Sequence, residues 1–575
     1  MKKHLKKLLA GCLVMGLFSC SSDDDLSLGN GGGAAGGEGD VYATLTLKLP
    51  TGTRAGEGLD GSNAGDEYGK DYENSVGSIL VVLAEKTEDG KYKYLTSSLS
   101  DGQLNGGTGV SPVNPKYTLV FQNATLAAKA GSKVSVFAYA NPTSSLRGAI
   151  DALEDPEVED KSFTDLVADF DAEIWANNRF LMTSVETVSA DIPDATALAS
   201  EYNKPEKAFD LGTVPVVRAA ARFDYKQVKG NKYEIKTKVL GENNLEEDVI
   251  VGEVELTHMA LFNLATKYYY LPRTSANGLN ANITLCPGKG GMDYQWVVGP
   301  MADKFQNYVS TNNNTETGIG SYFQYALRGG DREWTEFSKL TIDDNHSTTW
   351  DNEKAPANEG YKIWRYATEN TIPADKQGGY SAQKKGITTG VVFKGKINLV
   401  AGSLLAKNVN DNEDIYMFNG VMYGGIKAVY KAVKAAPVST LAEAFNNCFT
   451  AEETTTGEGD DAVTTVTITP KTGEGSDVKE NGFTVYKYDT VAGCYPVYYH
   501  YYNRHDDNGN NDVMGEMEFG VVRNNVYKLS VTNINQFGSP TDDDNPDDPD
   551  EEAETYFQVS VEVLPWVVRI NNIEF

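Results

Sequence analysis

The chain has 575 residues, enough for roughly two to four domains with cores of their own. A formal net charge of −30 excludes nucleic acid as an expected partner, because phosphate contacts require clustered Lys and Arg. Its 32 tyrosines, with abundant Thr and Val, favour a β-rich exported protein.

Lys2, Lys3, Lys6 and Lys7 precede an apolar run over residues 8–18. That is the pattern of a secretory signal peptide, too short to cross a membrane. Ser19 before Cys20 makes it a bacterial lipobox, so residues 1–19 are removed and Cys20 carries the lipid. Each buried CH₂ of an acyl chain contributes about 0.8 kcal/mol, and several chains on one cysteine anchor firmly. The acidic run Asp23, Asp24, Asp25 resembles the export signal of Bacteroidetes surface lipoproteins. Outer-membrane attachment facing outward is expected; a periplasm-facing lipoprotein is the alternative.

Residues 29–39 are nearly all Gly and Ala, a flexible spacer. Next, Val41, Ala43, Leu45, Leu47 and Leu49 alternate with Tyr42, Thr44, Thr46 and Lys48, which predicts a strand with one buried face. Pro50 ends it, and residues 51–58 form a Gly-rich loop in which Arg54, followed by Ala55, suits a trypsin-like protease. Short strands are predicted at 79–83, 117–121 and 134–140, an amphipathic helix at 162–175 with Ser162 as N-cap, and a strand at 214–225.

Further strands are predicted at 253–261, 267–271, 390–399 and 519–531, and a short helix at 440–445. Stretches 300–360 and 450–480 read as loops. Strands and helices do not alternate regularly, so antiparallel sandwiches fit better than a parallel α/β sheet. Residues 541–552 are acidic and broken by proline, which predicts a solvated linker. Beyond it Phe557, Val559, Val561 and Val563 alternate with polar residues, and Trp566, Val568 and Ile570 follow Pro565. Such an apolar tail either folds back on its own domain or serves another molecule.

Few residues suggest chemistry. With Cys12 removed and Cys20 lipidated, Cys286, Cys448 and Cys494 could hold one disulfide or stay as buried thiols. Residues 506–512 invite a calcium reading, but Asn511 stands where the turn glycine belongs and Met517 where the bidentate Glu belongs. His258, His346, His500 and His505 lack metal spacing. Residues 390–396 mimic a phosphate-binding loop, with Ile397 in place of its Ser or Thr. No metal, cofactor or enzymatic activity is expected, although carboxylate pairs for glycoside hydrolysis stay open at this level.

Residues 495–509, 517–533 and 563–566, with weaker blocks at 136–142, 179–182 and 368–371, resemble the Mfa1-type fimbrillins of Bacteroidetes, the shaft subunits of lipoprotein-derived pili. The resemblance implies a mainly all-β fold of two transthyretin-like antiparallel β-sandwich domains with a few short helices. It also implies polymerisation by strand exchange. Cys20 then matches the lipidated cysteine and Arg54 the cleaved arginine, with Ala55 as the new first residue. Val41, Ala43, Leu45, Leu47 and Leu49 lie on the removable strand. Phe557, Val559, Val561, Val563, Trp566, Val568 and Ile570 form the donor, although 556–564 could stay in its own domain and leave 566–575 to insert. The implied layout is signal 1–19, lipidated propeptide 20–54, sandwiches 55–225 and 226–540, and linker plus donor 541–575. Implied partners are identical subunits in a head-to-tail filament, accessory anchor and tip proteins, and an Arg-specific protease. A monomeric surface glycan binder using Trp334, Trp350 and Trp364 is the alternative, as is an anchor or tip component of the same pilus.

Overall fold

The computed structural model describes residues 39–50, 67–101, 114–170, 172–175, 179–240, 246–308, 318–328, 331–340, 361–375, 378–403, 405–406, 409, 412–457, 462–510, 512–551 and 557–567. Strands dominate, arranged in sandwich-like sheets with few short helices, so the all-β expectation holds.

Three strands of the first sheet matter below: β1 (Asp40–Lys48), β2 (Lys116–Gln122) and β3 (Phe209–Arg218). The sheet runs Tyr92–Ser100, Ile79–Lys86, Lys133–Ala140, Met182–Ser184, β3, β1, β2. Its two ends approach each other: the Val120 N–H donates to Ser98 Oγ at 3.0 Å. The strands predicted at 79–83, 117–121 and 134–140 are all present in it.

The stretch 214–225 is extended as predicted, but it is two strands. The chain steps at Ala219 from β3 into β4 (Ala220–Tyr225), which belongs to a different sheet. That sheet also holds β5 (Lys362–Thr368), β6 (Asn525–Ile534) and β7 (Phe557–Val567), in the order Glu67–Tyr68, β7, β6, β4, β5. Opposite it lies a sheet built on the long strand Glu246–Phe262, flanked by Lys232–Leu240 and Gly390–Leu399, with Tyr495–Tyr502 beyond the latter. The two share a core in which Tyr225 meets Phe393 at 5.9 Å between ring centroids and Tyr233 donates to the Val531 carbonyl at 2.7 Å. The first core is not confined to the first 225 residues, since it also takes Tyr268, Tyr270, Leu271, Cys286 and Val526.

Three expectations are corrected. Residues 162–175 form no α-helix among those described: Val167–Asp169 is a strand paired with Lys267–Tyr269, and Ala172–Ile174 is a single 3₁₀ turn. The apolar spacing was real, since Phe163 and Ile174 are buried, but edge pairing satisfies the backbone instead. The predicted loop 450–480 contains a hairpin, Phe449–Thr456 with Val463–Pro470, where β-branched threonines hold the extended form. The acidic segment 541–551 is docked and not free: Pro546, Asp550 and Glu551 are buried, while Thr541, Asp543, Asn545, Asp547 and Pro549 stay exposed. Cys286, Cys448 and Cys494 are free thiols.

Candidate functional site

Alternation in β1 places Val41, Ala43, Leu45, Leu47 and Leu49 in the first core, each at most 1% exposed. The other face was expected to be solvated, yet Tyr42 and Thr44 are buried too. The Tyr42 N–H donates to the Tyr202 carbonyl at 2.9 Å, so the segment before β3 continues the pairing along this side of β1.

β1 is an interior strand. Residues 40–46 pair antiparallel with 122–116 of β2, and residues 43–48 pair parallel with 209–215 of β3. The β3 pairing carries a bulge: Thr44 faces Asp210 while Thr46 faces Thr213. Gly212, at φ +93°, occupies the extra position in a conformation that suits glycine. Removing β1 would open backbone donors and acceptors on both neighbours and uncover its apolar slots. Each filled slot is worth about 1.5–3 kcal/mol for a Val or Leu side chain. Arg54 and Ala55 come six and seven residues after Lys48, the last residue of β1, and they, like Cys20, lie outside the described residues.

The chain returns at Glu67–Tyr68, which pairs parallel with β7, and then forms the helical turn Asp71–Asn74. Glu73 is fully buried there. Its carboxylate accepts from Arg222 Nη1 (2.9 Å), the Tyr366 hydroxyl (2.7 Å) and the Lys70 N–H (2.7 Å). Arg222 also pairs with Asp224 at 2.8 Å. Next to it Arg218 donates to Glu73 O (3.1 Å) and Asn524 Oδ1 (3.2 Å), and also bonds Asn74. Burial draws the Arg218 guanidinium down to about 9 against the pull of Glu73. Arg523 pairs with Glu369 at 2.9 Å and donates to the Tyr269 and Tyr270 carbonyls. These buried ions join the two cores. Sequence reasoning missed Glu73, which no local pattern distinguishes from a surface acid.

β7 pairs antiparallel with β6 of the same chain, from Ile534 opposite Phe557 to Asn525 opposite Pro565. Val559 and Val561 pack against the second core, and Ser560 between them is exposed. Phe557, Val563 and Trp566 lie on this strand; Val568 and Ile570 lie outside the described residues.

The segment leading to β7 is held by a basic cradle. Lys385 Nζ meets Asp544 at 3.1 Å, and Tyr502 donates to the same carboxylate at 2.9 Å. His500 sits 3.0 Å from the Asp542 carbonyl oxygen, and burial lowers its pKa. Thr388 donates to Asp550 at 2.6 Å, and Arg504 bridges Glu551 (2.7 Å) and Glu518.

The remaining sequence candidates are scattered. Trp364 is buried, with its indole N–H donating to Thr335 at 3.0 Å. Trp334 is half-buried beneath Lys394, and Trp350 and His346 lie outside the described residues. His258 contacts Thr257, and His505 contacts the Tyr527 hydroxyl at 2.9 Å. The phosphate-loop mimic lies within the strand Gly390–Leu399.

Residues 495–572 match the family model described as major fimbrial subunit protein type IV, fimbrillin, C-terminal. That stretch covers Tyr495–Tyr502, β6 and β7. No curated protein matches the chain. Among solved structures, the chain is similar to the tip fimbrial protein Mfa3 of Porphyromonas gingivalis with C-terminal truncation, at 11% identity over 92% of this chain and 100% of that one, TM-score 0.32. It is also similar to the fimbrilin FimA of P. gingivalis, at 13% identity over 92% and 99%, TM-score 0.34. A fimbrial assembly protein of Parabacteroides distasonis aligns at 12% identity over 63% and 99%, TM-score 0.24.

Proposed function

We propose that this chain is a non-enzymatic shaft subunit of a cell-surface fimbrium supporting adhesion, of the Mfa1 type and built on transthyretin-like sandwiches. It is exported as a lipoprotein on Cys20, held at the outer membrane, and cut after Arg54 by an Arg-specific protease. The observation that carries this reading is the place of β1, an interior strand whose four alternating apolar residues are buried together with Leu49 just beyond it, and which runs on into the segment bearing Arg54. The family match over residues 495–572 supports the fimbrial role.

Cutting after Arg54 frees β1 to leave. The vacated slot then accepts an extended donor, with main-chain hydrogen bonds giving affinity and alternate side chains giving specificity. The C-terminal tail, through Phe557, Val559, Val561, Val563, Trp566, Val568 and Ile570, supplies that donor to the next subunit. The contact is head-to-tail, so it propagates a filament that accessory anchor and tip proteins begin and end.

N-terminal sequencing and mass of protein sheared from cells test this, beside an unboiled SDS gel. A start at Ala55 with a ladder of high-mass species is the expected result. A lipidated start at Cys20 with monomer alone overturns it and points to an anchor or a monomeric lipoprotein.

A further inference from the structure

The acidic segment before β7 makes more bonds to the body than a spacer needs. Its main chain is gripped as well as its carboxylates. The Lys385 N–H donates to the Asp548 carbonyl (3.1 Å) and the Gly386 N–H to that of Pro546 (3.0 Å). Tyr308 donates to the Pro546 carbonyl (3.1 Å), Lys384 Nζ to that of Asp547 (2.8 Å) and Arg332 to that of Asp542 (3.3 Å). Lys384 and Pro549 form an antiparallel bridge. Lys385 is 4% exposed and Arg504 16%, so both cations have given up water for these contacts. Arg332, Lys384, Lys385 and Arg504 thus line a cradle shaped for an extended acidic peptide, with loop 384–388 reading its backbone.

β7 is held differently. It adds one strand at the border of its sheet, pairing along its length with β6 and, among the described residues, through Glu67–Tyr68 on its other side. Val559 and Val561 are only partly buried.

We infer that loop 384–388 with Arg332 and Arg504 is a binding site for the acidic peptide 541–551, filled in cis and kept filled, so that only chain beyond Glu551 exchanges between subunits. This rests on the strand-exchange reading above. Release of the segment would take Asp544 and Asp548 from Lys385 and Glu551 from Arg504, which keeps Glu518, and would forfeit the loop's backbone bonds, whereas release of β7 leaves a strand edge that an identical strand can cover again. The site therefore fixes the root of the donor and sets its reach.

Two cysteine pairs separate the alternatives in the full processed chain. K384C/P549C ties the peptide to its cradle across the antiparallel bridge, where facing Cα atoms lie within disulfide reach. S530C/S560C ties β7 to β6 at facing positions. Under oxidising conditions the first lock is expected to leave the filament elongation rate within about twofold of its reduced form. The second is expected to stop elongation until reductant is added. Arrest by the first lock, relieved on reduction, overturns the inference. If the unlocked processed chain forms no filaments, the strand-exchange reading fails, and the cradle is judged in the monomer. There K384C/P549C must oxidise completely without denaturant, and the Lys385 and Gly386 amides must resist hydrogen exchange; failure of either rejects the site.

Discussion

Arg222 and Glu73 meet at 2.9 Å with both side chains essentially sealed from solvent, and this pair ties the segment beyond residue 66 to β4. Glu73 lies in the first turn after the undescribed stretch that carries Arg54, and Arg222 in the first strand of the second core. Tyr366 on β5 completes the contact. On the proposed function, the chain that begins at Ala55 after processing is thereby pinned to the seam between the cores.

Removing Glu73 leaves the buried Arg222 with Asp224 as its remaining carboxylate, and removing Arg222 takes the cation from both buried acids. Glu73→Ala is expected to destabilise the protein by about 3–5 kcal/mol, and Arg222→Ala by a similar amount. The double variant, which removes both charges, should cost less than the sum of the two. Urea denaturation of the three proteins and the wild type forms the cycle, and additive losses would show that the two ions do not interact.

Asp550 makes stability depend on pH. Burial raises its carboxyl to about 7, against the pull of Thr388, Lys385, Arg504 and Lys384. Its Oδ1 has no hydrogen-bond partner among the described residues. Burial also raises nearby Glu518 to about 7. A raised folded-state value means that the folded chain binds the extra proton between the ordinary carboxylate range near 3.8 and about 7. The contribution of Asp550 is thus complete below about pH 4 and is lost as pH rises to about 7, by up to roughly 4 kcal/mol. Asp550→Asn should erase that part of the slope, so wild type minus variant stability must fall across pH 4–7. Urea midpoints at several pH values read it directly, and a difference that rises with pH contradicts the assignment.

The strands were legible where one rule was enough. Val41 to Leu49 at every second position announces a strand because one face has to be dry. The step at Ala219 was hidden, since β3 and β4 read as one apolar run and only the sheets they join tell them apart. The docked acidic segment was hidden for a different reason. A run of aspartates reads as solvated unless its cations are visible, and Lys385 lies 159 residues from Asp544 while Arg504 lies 47 from Glu551. Helix against strand at 162–175 was decided by the edge offered by Lys267–Tyr269, which no local pattern reveals. Glu73 belongs with these: its importance comes from Arg222 and Tyr366, both remote in sequence.

Leu45 separates the precursor from the processed subunit. It is fully buried in the middle of β1, so Leu45→Ala should destabilise the uncut chain by about 2–5 kcal/mol. After cleavage the strand is gone, and the processed variant should equal the processed wild type in stability and elongation. Thermal melts before and after protease treatment check both halves. A penalty that survives cleavage would mean that β1 stays in place.

Gly212 provides the complementary case, because it belongs to the acceptor and not to the strand that leaves. It sits at φ +93° in the β3 bulge opposite the Thr44–Thr46 step, and its N–H donates to Asp210 Oδ1 at 3.2 Å. A Cβ there would meet only Val188 Cγ1, at 4.0 Å, so Gly212→Ala is opposed by backbone conformation and not by crowding. The left-handed backbone costs a non-glycine residue about 1–2 kcal/mol. Relaxing it would flatten the bulge and shift the pairing of whichever strand lies alongside by one residue, turning its apolar face out of the core. The precursor should therefore lose about 1–2 kcal/mol, and the processed subunit should elongate more slowly, since the incoming donor meets the same altered edge. Loss in both states for Gly212→Ala, set against loss in the precursor alone for Leu45→Ala, is the pattern that one slot occupied first by β1 and then by a neighbour's tail must give. A Gly212→Ala subunit that elongates at the wild-type rate while its precursor is destabilised would place the donor somewhere other than the β1 slot.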